Sequence, residues 1–204
     1  LLGVVLVFRN VTEEYKRQAE IEAERRRLKL ALRGGDLGLW DWNLDTGHVH
    51  YNDRWAEMLG YDPSDIAPTV DAFRNRVHPD DRPRVFDAVD AHIAGETDFV
   101  DLEIRMRARD DSWRWVLDRG QVVERHSDGS AKRIAGTHLD ITERKEREKA
   151  LRQANVMMEQ AQAVAEMGSG VWNLERGTVH LSSEAQRLLG LNAASLPIKA
   201  FIDL

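Results

Sequence analysis

Histidines and paired carboxylates are the side chains in this chain best suited to move a proton or hold a metal, so their spacing is the first thing to weigh. His48 and His50 stand two residues apart, on one face of any strand that carries them. His78 opens a His-Pro-Asp-Asp run, and His92 lies three residues before Gly95, where solvent is expected. None of these has the spacing of a metal-ligand set, and the chain has no phosphate-binding glycine loop and no nucleophile elbow. With no cysteine, it lacks thiolate metal sites, disulfides and cysteine nucleophiles. We therefore expect no catalytic centre and no metal site within this chain. The remaining pattern of interest is Asp140-Ile141-Thr142-Glu143, which has the form of a capping box at a strand-to-helix junction and recurs as Asn10-Val11-Thr12-Glu13.

The elements that must hold these residues follow from period and punctuation. Thr12 to Leu32 is rich in Glu, Arg, Lys, Ala and Leu without Gly or Pro, and predicts a solvated helix stopped by Gly34-Gly35. Gly38 to Tyr51 predicts a hairpin around Asp45-Thr46-Gly47, with Trp40 and Trp42 on one face. Asn52 to Leu59 predicts a short helix ended by Gly60, and Thr69 to Val77 another. Pro79 at a first helical position, with Asp80 and Asp81 behind it, predicts a helix running to Ala94. From Asp98 the period falls to two, since Val100, Leu102, Ile104 and Met106 alternate with charged residues. Turns at Asp110-Asp111 and Ser127-Asp128-Gly129 then separate strands over Ser112 to Arg125 and Lys132 to Ile141. The sum is an α+β fold with one five-stranded antiparallel sheet and short helices on one face.

The chain also repeats itself. Gly38, Trp42, Asn43, Leu44, Gly47, Val49, His50, Leu59 and Gly60 recur as Gly168, Trp172, Asn173, Leu174, Gly177, Val179, His180, Leu189 and Gly190, each pair 130 residues apart. A unit of that length is a small domain with a connector, not a solenoid repeat. We expect residues 1–16 to end a preceding copy, 17–36 to form a linker helix, 37–143 to be a complete domain, 144–167 to form a second linker helix, and 168–204 to begin a further copy. On this reading the chain is a piece of a longer protein.

Composition narrows the rest. A net charge of −6 gives no electrostatic reason to expect a nucleic-acid partner. The apolar opening Leu1 to Phe8 is far shorter than the roughly 20 residues of a membrane span and is expected to be a buried strand. No membrane contact is expected from this segment.

Five motifs in order then point to a family. Gly38-Leu39-Trp40-Asp41-Trp42-Asn43, Met58-Leu59-Gly60-Tyr61, Val77-His78-Pro79-Asp80-Asp81, Trp113-Arg114-Trp115-Val116, and Gly136 followed by Asp140-Ile141-Thr142-Glu143-Arg144-Lys145 resemble a PAS domain with its C-terminal PAC segment. The resemblance is to tandem PAS arrays of bacterial sensor histidine kinases and of GGDEF or EAL cyclic-di-GMP proteins. It implies a cytoplasmic sensory module that passes a signal along a helical linker to a kinase or cyclase domain elsewhere in the same polypeptide. The alternatives are a haem- or metabolite-binding receptor and a ligand-free dimerisation scaffold. Gly34-Gly35-Asp36 is followed by Leu37 and Gly38, so it is a helix stop and not a GGDEF signature. The resemblance implies a pocket between sheet and helices, for which Trp42, Met58, Phe73, Phe86, Ile104, Met106, Trp115 and Leu117 are candidates. Asp140, Ile141, Thr142 and Glu143 are the expected coupling site. Leu151, Ala154, Met158, Ala161 and Ala165 recur at alternating three- and four-residue steps, an expected seam for a parallel homodimer. His92 falls on the element that carries the axial ligand in haem-binding relatives, but an isolated histidine beside a helix stop argues against haem. A cysteinyl flavin adduct is excluded by composition, and no other cofactor is implied.

Overall fold

The computed structural model describes residues 12–203. The strand expected over Leu1 to Phe8, and Asn10 and Val11 of the upstream junction, lie outside the described residues. The chain divides into two compact units, residues 1–142 and 143–204.

The first unit opens with α1 (Thr12–Gly34), an exposed helix supported by ion pairs between Glu13 and Lys16 and between Glu24 and Arg27. Strands β1 (Gly38–Asn43) and β2 (Val49–Tyr51) form the hairpin, and the left-handed turn at Gly47 (φ 70°) is one that a side chain would strain. Helices α2 (Asp53–Glu57), α3 (Val70–Arg74) and α4 (Arg82–Ile93) follow. Strands β3 (Val100–Arg107), β4 (Trp113–Arg125) and β5 (Ala131–Asp140) complete an antiparallel sheet in the order β2-β1-β5-β4-β3. This is the α+β fold that the alternation implies.

Two details differ from the sequence expectation. Helix α4 begins at Arg82, not at Pro79; Asp81 is its N-cap residue, and the Asp81 side chain turns to β3 instead of capping the helix. Its Oδ2 accepts from the backbone N–H of Arg105 (2.9 Å), and its carboxylate pairs with the Arg105 guanidinium (2.8 Å to Oδ1), which pins the turn to β3. That bonding, led by the guanidinium hydrogen bond, holds the Asp81 carboxyl below the usual carboxylate range.

The second difference is the parity of β4. Val116, Asp118 and Gly120 face the core, so Trp115 and Leu117 lie on the opposite face, paired across the ladder with Arg105 and Glu103. Arg105 stacks its guanidinium 5.8 Å from the Trp115 ring centre.

The core is built from Trp40, Trp55, Leu59, Ile104, Met106 and Val116 with their neighbours, between the sheet and α2 to α4. The Trp40 indole crosses the Gly136–Gly120 pair of β5 and β4. A Cβ on Gly136 would meet Arg119 O at 2.1 Å and Trp40 Cζ2 at 2.5 Å, so only glycine lets the ring lie there.

The second unit contains α5 (Thr142–Val164), which starts one residue before it, then β6 (Gly170–Asn173), β7 (Thr178–Leu181), α6 (Ser183–Leu189), β8 (Ser195–Pro197) and α7 (Ile198–Ile202). Its sheet runs β6-β7-β8, over a small core around Val179, Leu181 and Ala185.

Candidate functional site

Two places in the first unit concentrate polar chemistry, a buried cluster against the sheet and the joint where β5 becomes α5. At the cluster, Asp118 on β4 and His138 on β5 are each only 2% exposed. Charged and polar groups survive such burial only when bonded. Asp118 Oδ1 accepts from Trp40 Nε1 (3.1 Å) and faces His138 Nε2 (3.0 Å). Because a carboxylate only accepts, Nε2 carries a proton, and Nδ1 is the nitrogen left over. Nδ1 has no hydrogen-bond partner among the described residues, and neither has the buried Nε1 of Trp42.

Both residues line a cavity of about 40 Å³ between the sheet and α3 and α4. The other walls are largely apolar, and include Trp40, Phe73, Phe86 and Ile134. Tyr51 closes one side, and its hydroxyl donates to Thr69 O (3.0 Å). Burial lifts that phenol well above its ordinary pKa, the Asp118 carboxylate adding to the rise and Arg76 opposing it, so Tyr51 is a neutral donor. Of the pocket residues expected from sequence, Trp42, Phe73 and Phe86 line this cavity. Met58, Ile104 and Met106 are core residues away from its wall, and Trp115 and Leu117 are on the far face of the sheet. Asp118, His138 and Tyr51 were missed, because each reads locally as an ordinary polar strand residue.

At the joint, the backbone of Trp115 grips the start of α5 twice. Ile141 N donates to Trp115 O (2.8 Å), and Trp115 N donates to Thr142 Oγ1 (2.9 Å). Asp140 Oδ1 accepts from Thr142 N (2.8 Å) two residues on, an Asx turn where sequence suggested a capping box, and Oδ2 lies 3.7 Å from Arg114. Ile141 is buried, while Glu143 is exposed and pairs forward with Arg147. The seam residues Leu151 and Met158 are exposed, as are Ala154, Ala161 and Ala165.

The histidines weighed first have ordinary surroundings. His48 and His50 are exposed on either side of buried Val49. His92 is buried, contrary to the solvated position expected near Gly95. Its Nδ1 lies 2.8 Å from Thr97 O and its Nε2 accepts from Val122 N (2.9 Å), so both ring nitrogens are spoken for. His78 Nδ1 accepts from Asp80 N within its turn (3.2 Å). No metal-binding cluster occurs among the described residues.

Comparison with known proteins agrees with this architecture. The family model for the PAS fold matches residues 48–138. A crystal structure of a sensory box histidine kinase/response regulator from Burkholderia thailandensis superposes with a TM-score of 0.57 at 35% identity, over 66% of this chain and 98% of that one. The chain belongs to the PAS family, which its first unit represents. Among curated proteins, the sensor protein FixL of Bradyrhizobium diazoefficiens is 30% identical over 61% of this chain and 24% of its own length. The probable diguanylate cyclase DgcE of Escherichia coli is 26% identical over 68% of this chain and 12% of its own length. The chain thus spans about a quarter or less of these relatives.

Proposed function

We propose that this chain is a sensing and signal-transmission segment of a multi-PAS signalling protein. Its first unit perceives a signal and passes the change from the sheet into α5. The observation that carries this reading is the double grip of Trp115 on Ile141 and Thr142, reinforced by Asp140. A shift of β4 against β5 must move the first turn of α5, since the same backbone belongs to the ladder and to the helix start.

The exposed seam of α5 supports a parallel pairing of two chains through Leu151, Ala154, Met158, Ala161 and Ala165. The tandem reading draws support from the second unit, which repeats the hydrogen bonding of the first hairpin at the 130-residue offset. Asn52 Oδ1 accepts from Leu39 N and Trp55 N, and Ser182 Oγ from Ser169 N and Ala185 N. A kinase or cyclase output elsewhere in the polypeptide is the reading that the relatives suggest, with no turnover in this chain itself. Haem ligation by His92 draws no support from a ring whose two nitrogens are engaged. A cytoplasmic location is the reading that the resemblance to PAS signalling proteins suggests; no described helix is long and apolar enough to cross a membrane, and a net charge of −6 gives no electrostatic reason to expect a nucleic-acid partner.

The test is Asp140→Ala in the parent protein, read as output with and without stimulus. Loss of the Asx bond costs about 0.5–2 kcal/mol, small beside the 5–15 kcal/mol stability of an ordinary domain but comparable to allosteric coupling energies of about 1–3 kcal/mol. The variant folds and responds poorly. An intact stimulus response would show that Asp140 only holds the local Asx turn.

A further inference from the structure

Helix α1 leaves its unit almost unsupported. From residue 13 to residue 34 every residue is exposed except Leu32, which is half-buried, so packing along its length does not fix the direction of the helix. Its end must do so. There the chain closes α1 with a Schellman turn, Asp36 N donating to Arg33 O (3.1 Å) and Leu37 N to Leu32 O (3.0 Å). The left-handed residue of that turn is Asp36 (φ 54°), although Gly34 and Gly35 stand directly before it and a side chain in that conformation is strained. What the side chain gains is a partner on the next helix, since Arg54 of α2 donates to Asp36 Oδ2 at 2.6 Å. Glu57, one turn further along α2, lines the same groove as these two.

The second unit repeats the turn and inverts the charges. Glu166, 130 residues after Asp36, is again left-handed (φ 52°), with Glu166 N donating to Ala163 O (3.3 Å) and Met167 N to Gln162 O (2.9 Å) at the end of α5. At the same offset Arg54 becomes Glu184 and Glu57 becomes Arg187. Glu184 and Arg187 pair with each other, and the Arg187 guanidinium is held above its ordinary pKa by that hydrogen bond and charge, the Glu166 carboxylate adding to the rise. In both units, then, a carboxylate at the end of the linker helix acts on an arginine of the following helix. The charge order on that helix is reversed while the attraction to the turn is kept.

We propose that the Asp36–Arg54 pair is a latch that fixes the direction in which α1 meets the first unit, and that a change in the upstream helix enters the domain through it. Both are positioning residues. Arg54 adjoins Trp55, which is fully buried with its ring 4.2 Å from Tyr51 on β2 and 5.9 Å from His138 on β5, so a pull on Arg54 reaches the sheet through one neighbouring side chain. An exposed pair of this kind is weak, which suits a contact that must open and close. The latch gives the transmission route an entrance, as Asp140 gives it an exit; that consequence rests on the sensory reading above, and the mechanical contact does not.

The experiment uses the full 204-residue chain, whose lack of cysteine lets two spin labels be placed alone, through Ala19→Cys on α1 and Ser127→Cys in the turn between β4 and β5. Labelled chain is diluted in unlabelled chain, so that only distances within one molecule are read. Pulsed electron resonance is expected to give one narrow distance distribution. Arg54→Glu, which installs the residue that the second unit carries at this place, widens it about twofold. Adding Glu57→Arg, which rebuilds the charge order of the second unit, restores the original width. Asp36→Asn keeps the turn and drops the charge; it widens the distribution by less, and serves where the reversed charge disturbs α2. An unchanged width in Arg54→Glu and Asp36→Asn would overturn the latch. So would a double variant as broad as the single one, since a merely structural arginine would not be rescued by a second charge reversal. Either failure leaves the Asp140→Ala test of the outgoing joint standing, and an intact response there leaves the latch result standing.

Discussion

The two units of this chain begin with the same local wiring and use it differently. Gly47 and Gly177 take the same left-handed turn (φ 70° and 62°), and Gly60 and Gly190 the same helix-ending one (φ 77° and 68°). Gly38 and Gly168 lie so close to the following helix that a Cβ would meet the Cα of Trp55 at 2.9 Å and of Ala185 at 2.5 Å. Yet Trp42 is packed against the first core while its counterpart Trp172 is 47% exposed, and the position of Trp40 is taken by Gly170. Strand β1 pairs with both β2 and β5, whereas among the described residues β6 pairs with β7 alone. Turns, caps and close approaches are therefore encoded within a few residues and repeat with the sequence. Burial of a tryptophan and the cluster around His138 require strands from far along the chain, and they distinguish the first unit.

The sharpest way to separate these contributions is Gly136→Ala. Its Cβ would collide with backbone Arg119 O and the Trp40 ring, neither of which can move without opening the sheet. We expect a loss of about 3 kcal/mol or more, confined to the first unit and read as the collapse of one unfolding transition in urea while the second unit keeps its hairpin signals. A parallel loss in both units would mean that they do not fold separately.

Next come the matched caps. Asn52→Ala removes acceptors for Leu39 N and Trp55 N and the donor to Leu37 O, while Ser182→Ala removes acceptors for Ser169 N and Ala185 N. Chemical denaturation should show about 2 kcal/mol lost in the first case and about 1 kcal/mol in the second, each in its own unit. Equal losses would erase the distinction between a half-buried cap in the five-stranded unit and one in the three-stranded unit.

What the sequence disclosed follows the same division. Glycine turns, the period-two run of β3 and the 130-residue repeat are local signals, and they are legible because a few neighbouring side chains decide them. The parity of β4 was not. Trp113, Trp115 and Leu117 on one parity outweigh Val116 on the other, so the apolar face looked like the core face, although Asp118 and Gly120 mark the true one. Asp118 reads as a solvated carboxylate until Trp40, 78 residues away, donates to it. Likewise His92 seemed wet beside Gly95, and only the arrival of Val122 N from β4 accounts for its burial. The expected capping box at Asp140 failed for a subtler reason, since an Asx turn and a cap use the same residue types at neighbouring offsets.

A smaller effect is expected from pH. The Asp81 carboxyl is held below its unfolded value, chiefly by its hydrogen bond with Arg105, so it stabilises the fold above the ordinary carboxylate range. That contribution disappears as pH falls through the folded-state value. Asp81→Asn should lower the melting temperature at neutral pH and flatten the acid limb of the first unit's stability profile below about pH 4. A variant with an unchanged acid limb would show that the Asp81–Arg105 pair adds no linked stability.

The claim that the sheet governs the linker is tested most directly by native-state hydrogen exchange in Thr142→Val, which keeps the side-chain shape but removes the acceptor for Trp115 N. The account predicts exchange about tenfold faster at the Trp115 amide and through the first two turns of α5, with Val116 and Ile134 in the core ladder unchanged. Unchanged exchange in α5 would contradict it, since the helix start would then be held independently of β4.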